Sequence, residues 1–235
     1  MHDIIDVPQN VGDFAVCLAE SGVNTVIRYY NHRNSTPFPS KCLTGEELAA
    51  LHGAGISVAV AFEQRGGAGG NIRDLHGAAG ERDSGRALDL AAALGQPEGS
   101  GIYFAVDWDY HTPQHLARIA PYFRSVRNAL AGRYLVGVYG SGTVGHHVKR
   151  QGLVDHIWLS GSLGWSGTRQ ALKQGDWSLF QKFMEKRSEI GGFGYDGNVV
   201  NPALENFGQF GPAGTLPSRD AKERLRCSKL LREER

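Results

Sequence analysis

Two aspartates directly follow the most apolar stretch of the sequence. Residues 102–106 read Ile-Tyr-Phe-Ala-Val, and Asp107-Trp108-Asp109 come next. An unbroken apolar run of this kind predicts a strand buried on both faces, as in a parallel sheet covered by helices. Because side chains alternate along a strand, we expect Asp107 and Asp109 to point the same way, about 6–7 Å apart. Two neighbouring carboxylates favour one protonated and one ionised group, which is what acid/base chemistry requires.

The alternative is that these two residues have no catalytic role and begin a solvent-exposed loop, with Asp109 capping a helix near Pro113. The elements around them decide between the two interpretations. Eight stretches have strand patterns, and they span residues 3–7, 25–31, 56–63, 102–106, 134–140, 155–160, 177–182 and 194–200. Helical spacing or long connections separate them, which predicts an α/β fold, a closed (β/α)₈ TIM barrel. Residues 181–192 show no full helical pattern, so we expect an abbreviated seventh β/α unit.

Residues 1–210 are predicted to form the barrel domain, and residues 211–235 a charged C-terminal tail. An open doubly wound sheet is the alternative fold, but residues 6–10 lack the Gly-x-Gly-x-x-Gly turn that it would require. In the tail, Ala221, Leu225 and Leu231 have the spacing of a weak amphipathic helix. Such a segment either remains solvated or docks on a partner, including a second copy of the chain in a homo-oligomer.

Polar residues gather at the predicted strand ends, where barrels of this kind place their chemistry. They are Asp6, Glu63, Asp107, Asp109, Gln181 and Asp196. Barrel closure makes the first and last strands neighbours, so Asp6 and Asp196 should lie close together and face Asp107 and Asp109 across the mouth. Aromatic residues accompany them, namely Tyr29, Tyr30, Tyr103, Tyr139, Trp158, Trp165 and Trp177. An acidic cleft with aromatic walls is typical of sites where sugar rings stack and a glycosidic bond is protonated.

Clustered carboxylates also suit a hard cation, so a metal-dependent hydrolase is a competing interpretation. The histidines do not strengthen it. His146 and His147 are adjacent and diverge on a helix, and His111 and His115 lie at a helix start with no matching acid. We therefore expect no metal and no other cofactor.

Charge and hydropathy bear on partners and location. The net charge of +1 attracts neither nucleic acid nor an anionic membrane. No apolar run approaches the roughly 20 residues of a membrane span, and no basic-then-apolar signal follows Met1. Action at the bacterial cell envelope would therefore need non-classical export or a leader missing from this sequence.

Four segments carry a resemblance to a known family. They are Ile4–Gln9, Ile102–Asp109, Val136–Gly140 and Tyr195–Val200. These segments resemble the DUF1906 family of Rv2525c-like, glycoside-hydrolase-like TIM barrels, distant relatives of the family 25 lysozymes. The resemblance spans about residues 3–210. It implies a lysozyme-like (muramidase-like) glycoside hydrolase acting on peptidoglycan or a related cell-wall glycan.

The resemblance also implies roles for the acids. Asp6, the pair Asp107 and Asp109, and Asp196 occupy the positions of the lysozyme acids. The lysozymes have a Glu as general acid where this chain has Asp109. A side chain one carbon shorter moves the proton donor by about 1 Å, and misplacements of that size can cost about a hundredfold in rate. Glu63 is therefore a second candidate acid.

Further roles follow as a hypothesis if the protein is an enzyme. Asp107 would stabilise the oxocarbenium ion or orient an N-acetyl group, while Asp6 and Asp196 hold the sugar. The candidate substrate-binding residues are Tyr30, Trp108, Tyr139, Trp158, Gln181 and Asn198. The alternative to an enzyme is a catalytically weak or inactive glycan-binding module on the same barrel.

Overall fold

The computed structural model describes residues 1–204 and 206–212, and its eight strands close into a barrel in sequence order. The strands are β1 (Ile4–Asp6), β2 (Thr25–Tyr30), β3 (Ser57–Phe62), β4 (Gly101–Ala105), β5 (Leu135–Gly140), β6 (His156–Leu159), β7 (Leu179–Arg187) and β8 (Gly194–Val200). The α-helices are α1 (Ala15–Glu20), α2 (Gly45–Gly53), α3 (Gly77–Leu94), α4 (Pro113–Leu130), α5 (Gly142–Arg150) and α6 (Thr168–Gln174). The predicted TIM-barrel-like α/β fold is confirmed.

The last strand runs opposite to the others. Strands β1 to β7 pair in parallel, whereas β8 pairs antiparallel with both β7 and β1. Residues 188–193 join β7 to β8 without a helix, as the abbreviated seventh unit predicted. A short turn can join antiparallel strands, but parallel neighbours need a long crossover. The resulting hairpin brings the start of β8 to the end of the barrel at which β1 finishes.

Alternation along the strands divides the apolar residues into two layers. The layer inside the barrel includes Tyr29, and the outer layer between strands and helices includes Tyr30. Neighbouring residues on a strand point to opposite faces, so these two tyrosines cannot share a site. The expectation that Tyr30 binds substrate is therefore corrected, because its ring is fully buried in the outer layer.

Helix α2 begins after a side-chain cap at Thr44, and its first turn holds a buried ion pair. The Thr44 hydroxyl accepts a hydrogen bond from the Glu47 backbone N–H at 3.2 Å. The Glu47 carboxylate accepts from the guanidinium of Arg28, with distances of 2.8 and 3.0 Å. Arg28 also donates to the Ser40 carbonyl at 2.8 Å. This ion pair thus anchors the loop of residues 31–44 to β2 and α2.

Two predictions concern parts of the chain beyond the barrel. In the described ranges, no helix combines the length and the apolar character needed to cross a membrane. The predicted tail helix and its homo-oligomer contact fall on residues 213–235, which lie outside the described residues.

Candidate active site

A cavity of about 290 Å³ opens at the carboxyl ends of the parallel strands. Its acidic lining residues are Asp6, Glu63, Asp107, Glu185 and Asp196. Its aromatic lining residues are Tyr29, Tyr139, Trp158 and Trp165. The cavity therefore brings together acids from both ends of the sequence with aromatic rings, as expected of a saccharide site.

One wall is built on the pairing of β1 with β8, which places Asp6 opposite Asp196. Asp6 is only 3% exposed. Its carboxylate accepts hydrogen bonds from Asn198 Nδ2 at 2.7 Å, Tyr29 Oη at 3.2 Å and Gln181 Nε2 at 3.3 Å. Burial and the neighbouring Asp196 raise the pKa of Asp6 to about 7, and the three hydrogen bonds only partly oppose this. Asp6 consequently exchanges its proton near neutral pH.

Asp196 is held between the two strands of the hairpin. Gln181 Nε2 donates to its Oδ2 at 3.0 Å, and the Glu185 backbone N–H donates to its Oδ1 at 2.5 Å. Burial raises the pKa of Asp196, while the Glu185 N–H opposes the rise. Glu185 has a φ of 55°, a left-handed conformation that is uncommon outside glycine. Backbone strain at this residue thus accompanies the hydrogen bond to Asp196.

Two aromatic side chains fix the orientation of the amides behind these acids. Trp158 Nε1 donates to Asn198 Oδ1 at 2.8 Å, and Tyr139 Oη donates to Gln181 Oε1 at 3.0 Å. An indole N–H can only donate, so the Asn198 oxygen must face Trp158 and its NH₂ group must face Asp6. The aromatic rings, 4.7 Å apart between centroids, therefore shape the cavity and orient the donors to the carboxylates.

The opposite wall carries Glu63 and Asp107, one residue and two residues beyond the ends of β3 and β4. Lys41 Nζ lies 3.1 Å from Glu63 Oε2. Burial and the nearby Asp107 raise the pKa of Glu63, and Lys41 opposes the rise. Burial also raises the pKa of Asp107, again against Lys41. In the described ranges nothing donates a hydrogen bond to the Asp107 carboxylate, so of these two acids only Glu63 has its ionised form stabilised by direct contact.

Besides Tyr30, three predicted site residues do not line the cavity. Asp109 Oδ1 accepts a hydrogen bond from the Ser166 backbone N–H at 2.8 Å. Trp108 is 47% exposed, and Asn198 lies behind Asp6. Asp109 separates from Asp107 because β4 ends at Ala105, and strand alternation does not extend into the following loop. The structure therefore does not bring Asp109 to the acids with which it was predicted to act.

A family model describes most of this barrel. The model of the Rv2525c-like, glycoside hydrolase-like domain matches residues 16–200. The chain belongs to this family. The match includes β2 to β8 and hence every acidic residue of the cavity except Asp6, and it confirms the resemblance seen in the sequence.

Individual known proteins are also similar to this chain in sequence or in structure. The uncharacterised protein YbfG of Bacillus subtilis is 32% identical over 183 residues, which are 73% of this chain and 24% of YbfG. The chain therefore spans about a quarter of the length of that curated relative. The crystal structure of the Mycobacterium tuberculosis Tat-secreted protein Rv2525c in complex with L-tartrate matches with a TM-score of 0.74 and 25% identity. That match covers 88% of this chain and 97% of Rv2525c.

The modular autolysin LytC of Streptococcus pneumoniae, solved with a synthetic peptidoglycan ligand, shares the fold of the family. Its TM-score is 0.54 at 14% identity, covering 83% of this chain and 45% of LytC. At this identity the likeness shows the barrel fold alone. The autolysin and this chain thus share the barrel architecture.

The sequence patterns did not identify two charged residues of the cavity region, Lys41 and Glu185. Both lie away from the predicted strand ends. Lys41 precedes Cys42, which forms an isolated bridge with Tyr29 of β2 and so brings the loop to the barrel mouth. Nothing in the loop sequence indicates this bridge. Within the described ranges, no group of three or more His, Cys, Asp or Glu side chains is placed to hold a metal ion.

Proposed function

We propose that this protein is a glycoside hydrolase that cleaves peptidoglycan or a related cell-wall glycan by carboxylate acid/base catalysis. The observation that carries the proposal is the unequal environment of Asp107 and Glu63 in one cavity. Lys41 contacts Glu63 directly and no donor contacts Asp107 in the described part of the chain. Two carboxyl groups whose environments differ in this way are suited to opposite roles as acid and base.

Asp107 is the general acid in this proposal. Burial raises the pKa of Asp107 and so favours its protonated form, and the proton passes to the leaving oxygen as the glycosidic C–O bond breaks. Glu63, whose carboxylate lies 3.1 Å from Lys41 Nζ, stabilises the positive charge that develops on the sugar. Water then adds to the anomeric carbon and returns a proton to the Asp107 carboxylate, which completes the hydrolysis. Asp6 and Asp196 hold the sugar against Tyr139 and the other aromatic residues of the cavity.

The substrate class rests on the family and the fold. The family is described as glycoside hydrolase-like, and the fold is shared with an autolysin whose structure contains a peptidoglycan ligand. Peptidoglycan is therefore the first polymer to test.

The decisive experiment incubates the protein with purified peptidoglycan in the presence of a chelator and analyses the soluble fragments by mass spectrometry. We expect fragments with a new reducing end. Asp107→Asn should lower their rate of release by about 10² or more, the usual contribution of a general acid. Glu63→Gln should lower it as well. Asp109→Asn is the matched control, because its side chain points to Ser166 and not into the cavity.

A glycan-binding module is the second candidate, and the position of Asp109 favours it. The residue that the resemblance places at the position of the lysozyme acid is hydrogen-bonded outside the cavity, which supports binding without lysozyme-like catalysis. Retention on insoluble peptidoglycan without released fragments would establish this second function. Fragment release that chelator abolishes would indicate metal-dependent hydrolysis. If the protein neither releases fragments nor is retained on the polymer, peptidoglycan is excluded as its substrate or ligand.

A further inference from the structure

Two further grooves border the cavity. One, of about 470 Å³, shares Glu63 with it, and another, of about 350 Å³, shares Ala105. Arg33 and Arg65 line both of these grooves. A substituent of a sugar in the cavity would therefore pass beside Glu63 or Ala105 and meet these two arginines.

The two arginines follow two strands that are paired in the barrel. Tyr30 and Phe62 are paired at the ends of β2 and β3. Arg33 and Arg65 each come three residues after these partners. The Arg33 backbone N–H also donates to Gln64 Oε1 at 3.1 Å, which joins the two loops. Both arginines consequently line the same two grooves at this edge of the barrel mouth.

Neither guanidinium is neutralised by an ion pair or a side-chain hydrogen bond in the described residues. The surrounding carboxylates have other partners. Glu63 is paired with Lys41, and Asp83 is paired with His32 and Arg82.

Asp74 is the remaining carboxylate, and it lines both grooves. Its Oδ2 accepts a hydrogen bond from Asn71 Nδ2 at 3.1 Å. The two guanidinium groups therefore outnumber the one acid that faces them, and they have open hydrogen-bonding capacity toward an anion.

The loop that carries Arg65 is fixed to the candidate acid. The Asp107 backbone N–H donates to the Gly66 carbonyl at 2.7 Å. Gly66 has a φ of +59°, and a Cβ at this position would lie 2.9 Å from the Ala105 carbonyl oxygen. Only glycine permits this close approach of the two loops. A group bound by Arg65 would thus have a defined position relative to Asp107.

We propose that Arg33 and Arg65 form a subsite for an anionic substituent of the glycan, a carboxylate or a phosphate. This inference rests on the proposed function, because it assumes that the cavity holds a sugar. Guanidinium groups recognise the paired oxygens of both anions through two parallel hydrogen bonds. Cell-wall glycans present carboxylates on their stem peptides and, in some cases, phosphate on the sugar.

The test measures dissociation constants for four probes by calorimetry at low salt. One pair is a disaccharide tetrapeptide from peptidoglycan and its carbodiimide-amidated form, which differ in carboxylate charge. The second pair is a cell-wall disaccharide with and without a sugar phosphate. The wild-type protein should prefer one anionic probe over its neutral counterpart by roughly tenfold, as expected for two exposed charge pairs. The preferred pair identifies the anion, and added salt should reduce the preference.

The double variant Arg33→Gln/Arg65→Gln should lose this preference while binding the neutral probes as the wild type does. Arg150→Gln removes one exposed guanidinium at the end of α5 and should keep the preference. A double variant that retains the preference, a wild type that shows none, or the absence of binding to all four probes would overturn the proposal.

The peptidoglycan assay separates this inference from the proposed function. Fragment release by a protein without anion preference would refute the subsite alone. An arginine-dependent preference without fragment release would support the subsite on a binding module and refute hydrolysis.

Discussion

Lys41 Nζ lies 3.1 Å from Glu63 Oε2 and 4.3 Å from the centroid of the Tyr29 ring. This single cation therefore contacts the acidic wall and the aromatic floor of the cavity together. It also lowers the pKa of both Glu63 and Asp107 against the effect of burial. Because Lys41 contacts Glu63 directly, Glu63 and Asp107 have different electrostatic environments within one cavity.

Lys41→Met should raise the pKa of Glu63. Glu63 would then be ionised only at higher pH, so the acidic limb of the pH profile of kcat/KM on peptidoglycan should move upward. Titration of the Glu63 carboxyl carbon by NMR measures the same change without turnover. Lys173→Met, an exposed lysine on α6, is the control and should leave the Glu63 titration unchanged.

Asp6→Asn should change the pH dependence of stability. The pKa of Asp6 is about 7 in the folded protein and about 3.9 in an unfolded chain. The folded state therefore binds this proton more tightly than the unfolded chain does. The contribution of Asp6 to the free energy of unfolding is consequently largest below pH 4 and falls as pH rises to about 7. The fall is at most about 4 kcal/mol, at 1.4 kcal/mol for each pKa unit.

Urea unfolding at pH 5 and pH 8 measures this effect. Between these two pH values the variant should lose less free energy of unfolding than the wild type. Asp13→Asn, which alters an exposed aspartate, should behave as the wild type. Equal pH dependence in wild type and Asp6→Asn would show that Asp6 does not hold a proton near neutral pH.

Trp158→Phe should destabilise the cavity floor. The substitution removes the indole N–H that donates to Asn198 Oδ1 at 2.8 Å. A buried acceptor left without its donor costs about 1–3 kcal/mol. The free energy of unfolding in urea is the measurement, and Trp108→Phe is the matched control because Trp108 is exposed. The control should change stability by less than about 0.5 kcal/mol.

Glu47→Gln should destabilise the protein more strongly. Arg28 and Glu47 both have fully buried side chains, and loss of one partner leaves a buried charge uncompensated at a cost of about 3–5 kcal/mol. The adjacent Glu46→Gln variant alters an exposed side chain and should leave stability nearly unchanged. A Glu47→Gln protein as stable as Glu46→Gln in thermal unfolding would contradict the ion-pair assignment.

The sequence by itself determined the barrel. Strand patterns and their spacing are local properties of the chain, and eight such segments between helices leave few other folds. The same reasoning predicted that Asp6 and Asp196 would be neighbours, because closure joins the first and last strands. The missing helix after Gln181 was also visible, since a helix must show its periodicity locally.

Only the tertiary structure decided which residues face the cavity. Tyr29 and Tyr30 have similar chemistry, and their faces were settled by the register of β2 in the barrel. Asp109 turned away because β4 ends at Ala105, and the loop beyond follows contacts with distant residues such as Ser166. Lys41 reaches Glu63 across a separation of 22 residues. Contacts of this kind depend on how loops pack, and no local pattern records them.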